Sequence, residues 1–169
     1  MVGWLRYRTG RKMRFDEFVC FEATVSELQA TDRDGAITEL IAALVAAGKI
    51  PSESAKDVTK AVIKRENEAS TGMGKGVAVP HVKHAAVKNV LAAIGQSSTG
   101  IDFASLDEQP VYSVILLISP VNNPDKHLQA MENVFRHLQK EKFRKFLRQS
   151  RQPAELEDLL READENPSW

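Results

Sequence analysis

The stretch VYSVILLI, residues 111–118, is the most strand-like in the chain: almost continuously apolar and rich in β-branched residues. Such a strand is covered on both faces, which predicts a place in the middle of a sheet. Pro120 and Pro124 bracket a turn after it. Upstream, Ala36, Ile37, Leu40, Ile41, Leu44 and Val45 recur at three- and four-residue steps and share one helix face. Thr31, Asp32 or Asp34 suits its start, and Gly48 falls just past its end. Ile50-Pro51-Ser52 breaks the chain, and a second helix is predicted from about Ser52 to Lys64, with Ala55, Val58, Ala61 and Val62 inward. Val90 to Gly95 reads as another strand. Downstream, Leu128, Met131, Phe135 and Leu138 restore a helical period, followed by Phe143, Phe146 and Leu147. Pro153 opens a last helix, with Leu156, Leu159, Leu160 and Ala163 inward. Helices at both ends with strands between them predict an α/β fold: a single layered domain, its central mixed β-sheet flanked by helices on both faces.

The bulk properties agree. The chain has 169 residues, 43% of them hydrophobic and 27% charged, the profile of one soluble globular domain. Lys+Arg and Asp+Glu both number 23, so the net charge gives no support to nucleic acid or an anionic membrane as the main partner. Cys20 is the only cysteine, which excludes an internal disulfide and a CxxC zinc site. No apolar run approaches the ~18–20 residues of a membrane span. The basic start, MVGWLRYRTGRKMRF, lacks the apolar core of a signal peptide, so the expected compartment is cytoplasmic. Residues 1–14 read as a basic N-terminal extension, 15–163 as the domain and 164–169 as a frayed end.

The chemistry lies in RENEASTGMGKGVAVPH, residues 65–81. His81 follows the short strand Val77-Ala78-Val79 and Pro80, which stops it because proline has no N–H for the ladder. A side chain there is presented at a strand end, on the rim of the sheet, where α/β proteins place their sites. Gly72, Gly74 and Gly76 permit a tight loop and close approach of a phosphate to backbone N–H groups. Ser70 and Thr71 add hydroxyl donors. Arg65 adds a fixed charge that can grip phosphate oxygens in a fork. The glycine run has neither the dinucleotide-binding spacing nor the GK[ST] ending of a P-loop. His84 and His81 without a nearby carboxylate or thiolate make a poor metal site, so no metal and no cofactor are expected, and His84 reads as a surface residue. His137 reads as structural or surface.

Taken together, STGMGKGVAVPH resembles the active-site signature of the fructose/mannitol-type enzyme IIA family of the bacterial phosphotransferase system, which includes the nitrogen-type regulatory enzyme IIA. The family's Thr-Gly-x-Gly loop, its Gly-x-Ala-x-Pro-His and its upstream arginine fall on Thr71, Gly72, Gly74, Gly76, Ala78, Pro80, His81 and Arg65. A second family histidine, after the central strand, matches His127 in PDKHLQAM. Gly100-Ile101-Asp102-Phe103 and Gln109-Pro110-Val111 fit as well, so the resemblance covers about residues 16–163. After His81 the sequence departs: the glycine that often follows is Val82 here, and the basic residue survives as Lys83.

The resemblance implies a phosphotransferase component that accepts a phosphoryl group on His81 Nε2 from a phosphorylated histidine carrier protein. Arg65 and His127 would offset the roughly −2 charge. Its partners would be that donor and either a regulated target protein or a separate IIB component, with no direct membrane insertion. One IIA-like domain without a IIB cysteine motif favours a stand-alone nitrogen-type regulatory protein. The alternatives are a sugar-transport IIA and, in another class, a binding module that keeps the fold without transfer.

Overall fold

In the computed structural model, which describes residues 12–166, the predicted central strand is the axis of a mixed sheet. This strand, β5 (Val111–Ser119), pairs antiparallel with β4 (Leu91–Ile101) on one side. On its other side β2 (Val77–Ala78) and β3 (His81–Lys83) both run parallel to it. Val77 pairs with Ser113 and His81 with Leu117, so β2 and β3 lie end to end as one strand interrupted at Val79–Pro80. A short β1 (Gly72–Gly74) pairs antiparallel with β2 at the edge.

Helices cover both faces, as expected. α1 (Arg33–Ala46) and α2 (Ala55–Glu68) pack on one, burying Ile37, Leu40, Leu44, Val58 and Val62 against Val114, Leu116 and Ile118. α3 (Pro124–Leu138), α4 (Glu141–Gln149) and α5 (Pro153–Glu165) pack on the other, against Ile115 and Leu117. The two-residue alternation of β5 thus feeds two separate cores. Asp32 caps α1, its carboxylate accepting the Gly35 N–H at 2.7 Å. Asn123 caps α3 by accepting the Lys126 N–H at 3.3 Å, with Pro124 in the first turn.

Five boundaries differ from expectation. The predicted strand at 77–79 ends at Ala78 but resumes at His81, so His81 opens a strand instead of hanging past one. The glycine loop contributes β1. β4 continues past its apolar run because buried polar side chains find partners. Gln96 donates to the Leu147 carbonyl at 2.7 Å and accepts the Ser113 hydroxyl at 2.6 Å. The end expected to fray is partly anchored. α5 runs to Glu165, and the Asp164 carboxylate accepts the Phe15 N–H at 3.0 Å through both oxygens. The packed body also begins before Phe15, since Met13 is buried in the core of α3–α5. The remainder of the basic extension, residues 1–11, and residues 167–169 lie outside the described residues. No helix among the described residues is long and apolar enough to cross a membrane.

Candidate functional site

His81 sits half-buried at the start of β3. Its Nδ1 lies 2.8 Å from the carbonyl oxygen of Val79. A carbonyl only accepts, so Nδ1 carries the hydrogen and Nε2 presents a bare lone pair. The Val79 peptide is held in turn, its N–H donating to the Thr71 carbonyl at 3.2 Å. Burial lowers the His81 pKa and the Arg65 charge lowers it further, against the Val79 hydrogen bond and the Glu66 charge, which raise it. The ring is therefore neutral at neutral pH.

β5 brings the second histidine to the first. His81 pairs with Leu117, and two residues further Ser119 Oγ lies 2.6 Å from His127 Nδ1. The His81 and His127 ring centroids are 5.8 Å apart, although the residues are 46 positions apart in the chain. Burial, together with the nearby His81 and Lys83, lowers the His127 pKa to about 4. In the resting site His127 is therefore a neutral hydrogen-bonding ring.

Arg65 occupies the last turn of α2, where its charge suits the helix end, and donates through Nη1 to the Ala69 carbonyl at 3.1 Å. Its neighbour Glu66 is buried and organises the loop that follows: its carboxylate accepts the Thr71 N–H at 3.1 Å and the Thr71 hydroxyl. The sequence reading passed over Glu66. The signal was there, because Glu66 continues the buried stripe of Val58 and Val62 at four-residue steps. Ser119 and the Val79 carbonyl were missed as well, and no residue-type pattern marks either.

The glycine loop plays a different part from the one expected. Ser70 donates its hydroxyl to the Phe103 carbonyl at 2.6 Å and accepts the Gly72 N–H at 3.1 Å. The Thr71 hydroxyl is spent on Glu66. The Lys75 N–H donates to Asp107 at 2.9 Å. Gly74 and Gly76, with positive φ of 88° and 82°, turn the chain between β1 and β2. That turn lies beside Tyr112, at the start of β5, five registers from His81, or roughly 17 Å along a strand. Gly72 is needed for close packing: a Cβ there would stand 2.9 Å from the Ser105 Cα. The loop therefore builds the edge of the sheet. His81, His127 and Arg65 are gathered at one end, with Thr71 behind them, while Gly74 and Gly76 are not.

The other histidines are structural. His84 is half-buried, contrary to the surface reading: Nδ1 accepts the Ala86 N–H at 2.9 Å, so Nε2–H donates to Asp57, at 2.7 Å. His137 is buried between Phe15 and Phe143 and donates from Nδ1 to the Asn133 carbonyl at 2.8 Å. No group of three or more metal-binding side chains occurs among the described residues.

A pH dependence of stability follows. His81, His127 and His137 all titrate below the usual histidine value of 6.5, burial being the largest cause in each. Between that value and the folded ones, the unfolded chain takes up protons that the folded chain refuses. Stability present above pH 6.5 is therefore lost as the pH falls through this window, which His127 extends to about 4. Asp164, raised by burial, acts with the opposite sign, one group against three. Thermal midpoints should fall from pH 7 to pH 5; a rise would contradict neutral buried rings.

Over residues 19–163 the chain matches the family described as "Phosphoenolpyruvate-dependent sugar phosphotransferase system, EIIA 2". A fructose-specific EIIABC component of Bacillus subtilis is 30% identical over 152 residues; the match covers 90% of this chain and only 24% of that longer protein. A nitrogen regulatory protein of Bradyrhizobium diazoefficiens is 30% identical over 148 residues, covering 88% of this chain and 95% of its own length. The crystal structure of the nitrogen regulatory protein IIA-Ntr of Neisseria meningitidis is similar with a TM-score of 0.75 at 25% identity, covering 85% of this chain and 97% of that one.

Proposed function

Because the chain belongs to the EIIA 2 family of the phosphoenolpyruvate-dependent sugar phosphotransferase system, we propose that it carries a phosphoryl group on His81 Nε2. The observation that supports this most is the hydrogen bond from His81 Nδ1 to the Val79 carbonyl, which leaves Nε2 as the nucleophile of a neutral ring. The lone pair of Nε2 forms the new P–N bond as the P–N bond of the donor phosphohistidine breaks and its electrons return to the donor nitrogen. The hydrogen stays on Nδ1, donated to the Val79 carbonyl, so the phosphorylated ring carries delocalised positive charge. That charge keeps the P–N bond labile and the transfer reversible. No proton has to cross, and catalysis is positioning plus charge stabilisation. Arg65 supplies the fixed positive charge.

The test is incubation with a phosphorylated histidine carrier protein. An acid-labile, base-stable phosphate mapped to His81 is expected; a chain that never takes label is not a phosphocarrier. Arg65→Ala should slow transfer about 10²-fold, the usual worth of one charge-stabilising group. Its melting curve should stay close to that of the parent, because the lost contact is one partly exposed hydrogen bond at a helix end. Unchanged kinetics would remove Arg65 from the site.

For the destination of the phosphoryl group, the likeness to the Bradyrhizobium and Neisseria nitrogen regulatory proteins supports a regulatory IIA, whose phosphorylation state alters binding to a target protein. Transfer to a separate IIB component is the competing outcome, supported by the likeness to the fructose component. Comparing the proteins captured by phosphorylated and unphosphorylated chain separates them: a regulated target is retained by one form, whereas a IIB component strips the label.

A further inference from the structure

Ser119 ends β5 and is fully buried, with Oγ 2.6 Å from His127 Nδ1. Either atom could be the donor, and the surroundings of the hydroxyl decide between them. Among the described residues Ser119 Oγ has no other hydrogen-bond partner. Were Nδ1–H to donate, the serine O–H would be a buried donor without an acceptor, which carries the desolvation penalty of that group. When the hydroxyl donates, the donor is satisfied and only an oxygen lone pair is left over, the lesser cost. The neutral ring has one hydrogen, and with Nδ1 accepting, that hydrogen is on Nε2.

We infer that Ser119 is a positioning residue that fixes His127 in its Nε2–H form, making His127 a neutral hydrogen-bond donor to the phosphoryl group on His81. The phosphoryl part of the inference rests on the phosphocarrier reading; the tautomer does not. The two imidazoles are then complementary, and each is set by one neighbouring oxygen. The Val79 carbonyl leaves His81 Nε2 bare, and the Ser119 hydroxyl leaves His127 Nε2 protonated. During transfer the His127 hydrogen bonds to a phosphoryl oxygen and does not move. A neutral donor holds the group without adding a third cation beside Arg65 and Lys83, whose charges already act on these rings.

Nitrogen-15 NMR of the histidine rings reads the tautomer directly, with or without phosphate. The wild-type chain should show His127 protonated at Nε2 and bare at Nδ1; the reverse pattern overturns the inference. Ser119→Ala should give a mixture of tautomers and slow transfer from the phosphorylated carrier about fivefold, the worth of one neutral hydrogen bond. Ser119→Thr, which keeps the hydroxyl, should restore both. A single unchanged tautomer in Ser119→Ala, or an unchanged rate, overturns the positioning role. If Ser119→Thr is too large for its buried position and unfolds, the wild-type spectrum and Ser119→Ala still decide. A wild-type chain that takes no label defeats the phosphocarrier reading, while the spectrum continues to report on Ser119.

Discussion

His81→Ala should take no phosphoryl group from a phosphorylated histidine carrier, with labelling reduced on the order of 10³-fold or more, as for loss of a nucleophile. His84, His127 and His137 remain in this variant and none of them can substitute. His84 and His137 have their ring nitrogens engaged with Asp57, Ala86, Asn133 and Ala163. His127 has its Nδ1 against Ser119. The variant should remain folded, because it leaves only the Val79 carbonyl without its donor, a loss of about 1 kcal/mol. Label that reaches His81→Ala at the parental rate would place the acceptor elsewhere.

The largest effect on stability is expected at Phe143. Its ring is fully buried, stacks on Phe15 at 5.9 Å with an interplanar angle of 4°, and lies 5.3 Å from the ring of His137. Phe143→Ala should cost about 3–5 kcal/mol, the usual loss for emptying an aromatic site. For a domain of this size that lowers the melting temperature by roughly 10 °C. The mechanism is specific: the cluster ties α4 to the N-terminal segment and to α3, so the cavity would open where three segments meet. Denaturant or thermal unfolding measures it, and a loss below ~1 kcal/mol would show that the neighbours collapse into the space.

The fold was legible where burial dictates residue type. The apolar run of β5 announced a central strand, and the four-residue steps of α1 and α2 announced their inward faces. Strand order was not legible, because a mixed sheet built on β5 depends on pairings that no local pattern records. The length of β4 was hidden for another reason: its buried Gln96 is satisfied by Ser113 and Leu147, and only the folded arrangement shows that. In the site, His81 and Arg65 stood out by residue type and position, whereas His127 entered only through the family resemblance; the fold brings its ring to 5.8 Å from that of His81. The task of the glycine loop was not legible. The same residues that could cradle an anion instead spend Ser70, Thr71 and the Lys75 N–H on internal partners. Glu66 is the converse case, a carboxylate that was passed over although it continues the buried stripe of α2.

The interruption at Val79–Pro80 has one more consequence. β1 reaches along β2 only as far as Thr71, whose carbonyl takes the Val79 N–H, and beyond that point no strand among the described residues pairs on its outer side. Exposed edges of this kind invite pairing with another chain and aggregation. Here the first outward carbonyl past β1 is that of Val79, and the His81 ring occupies it. The His81 ring thus doubles as a plug on the sheet edge and, on the phosphocarrier reading, the group that must be presented to a partner also discourages strand-to-strand self-association.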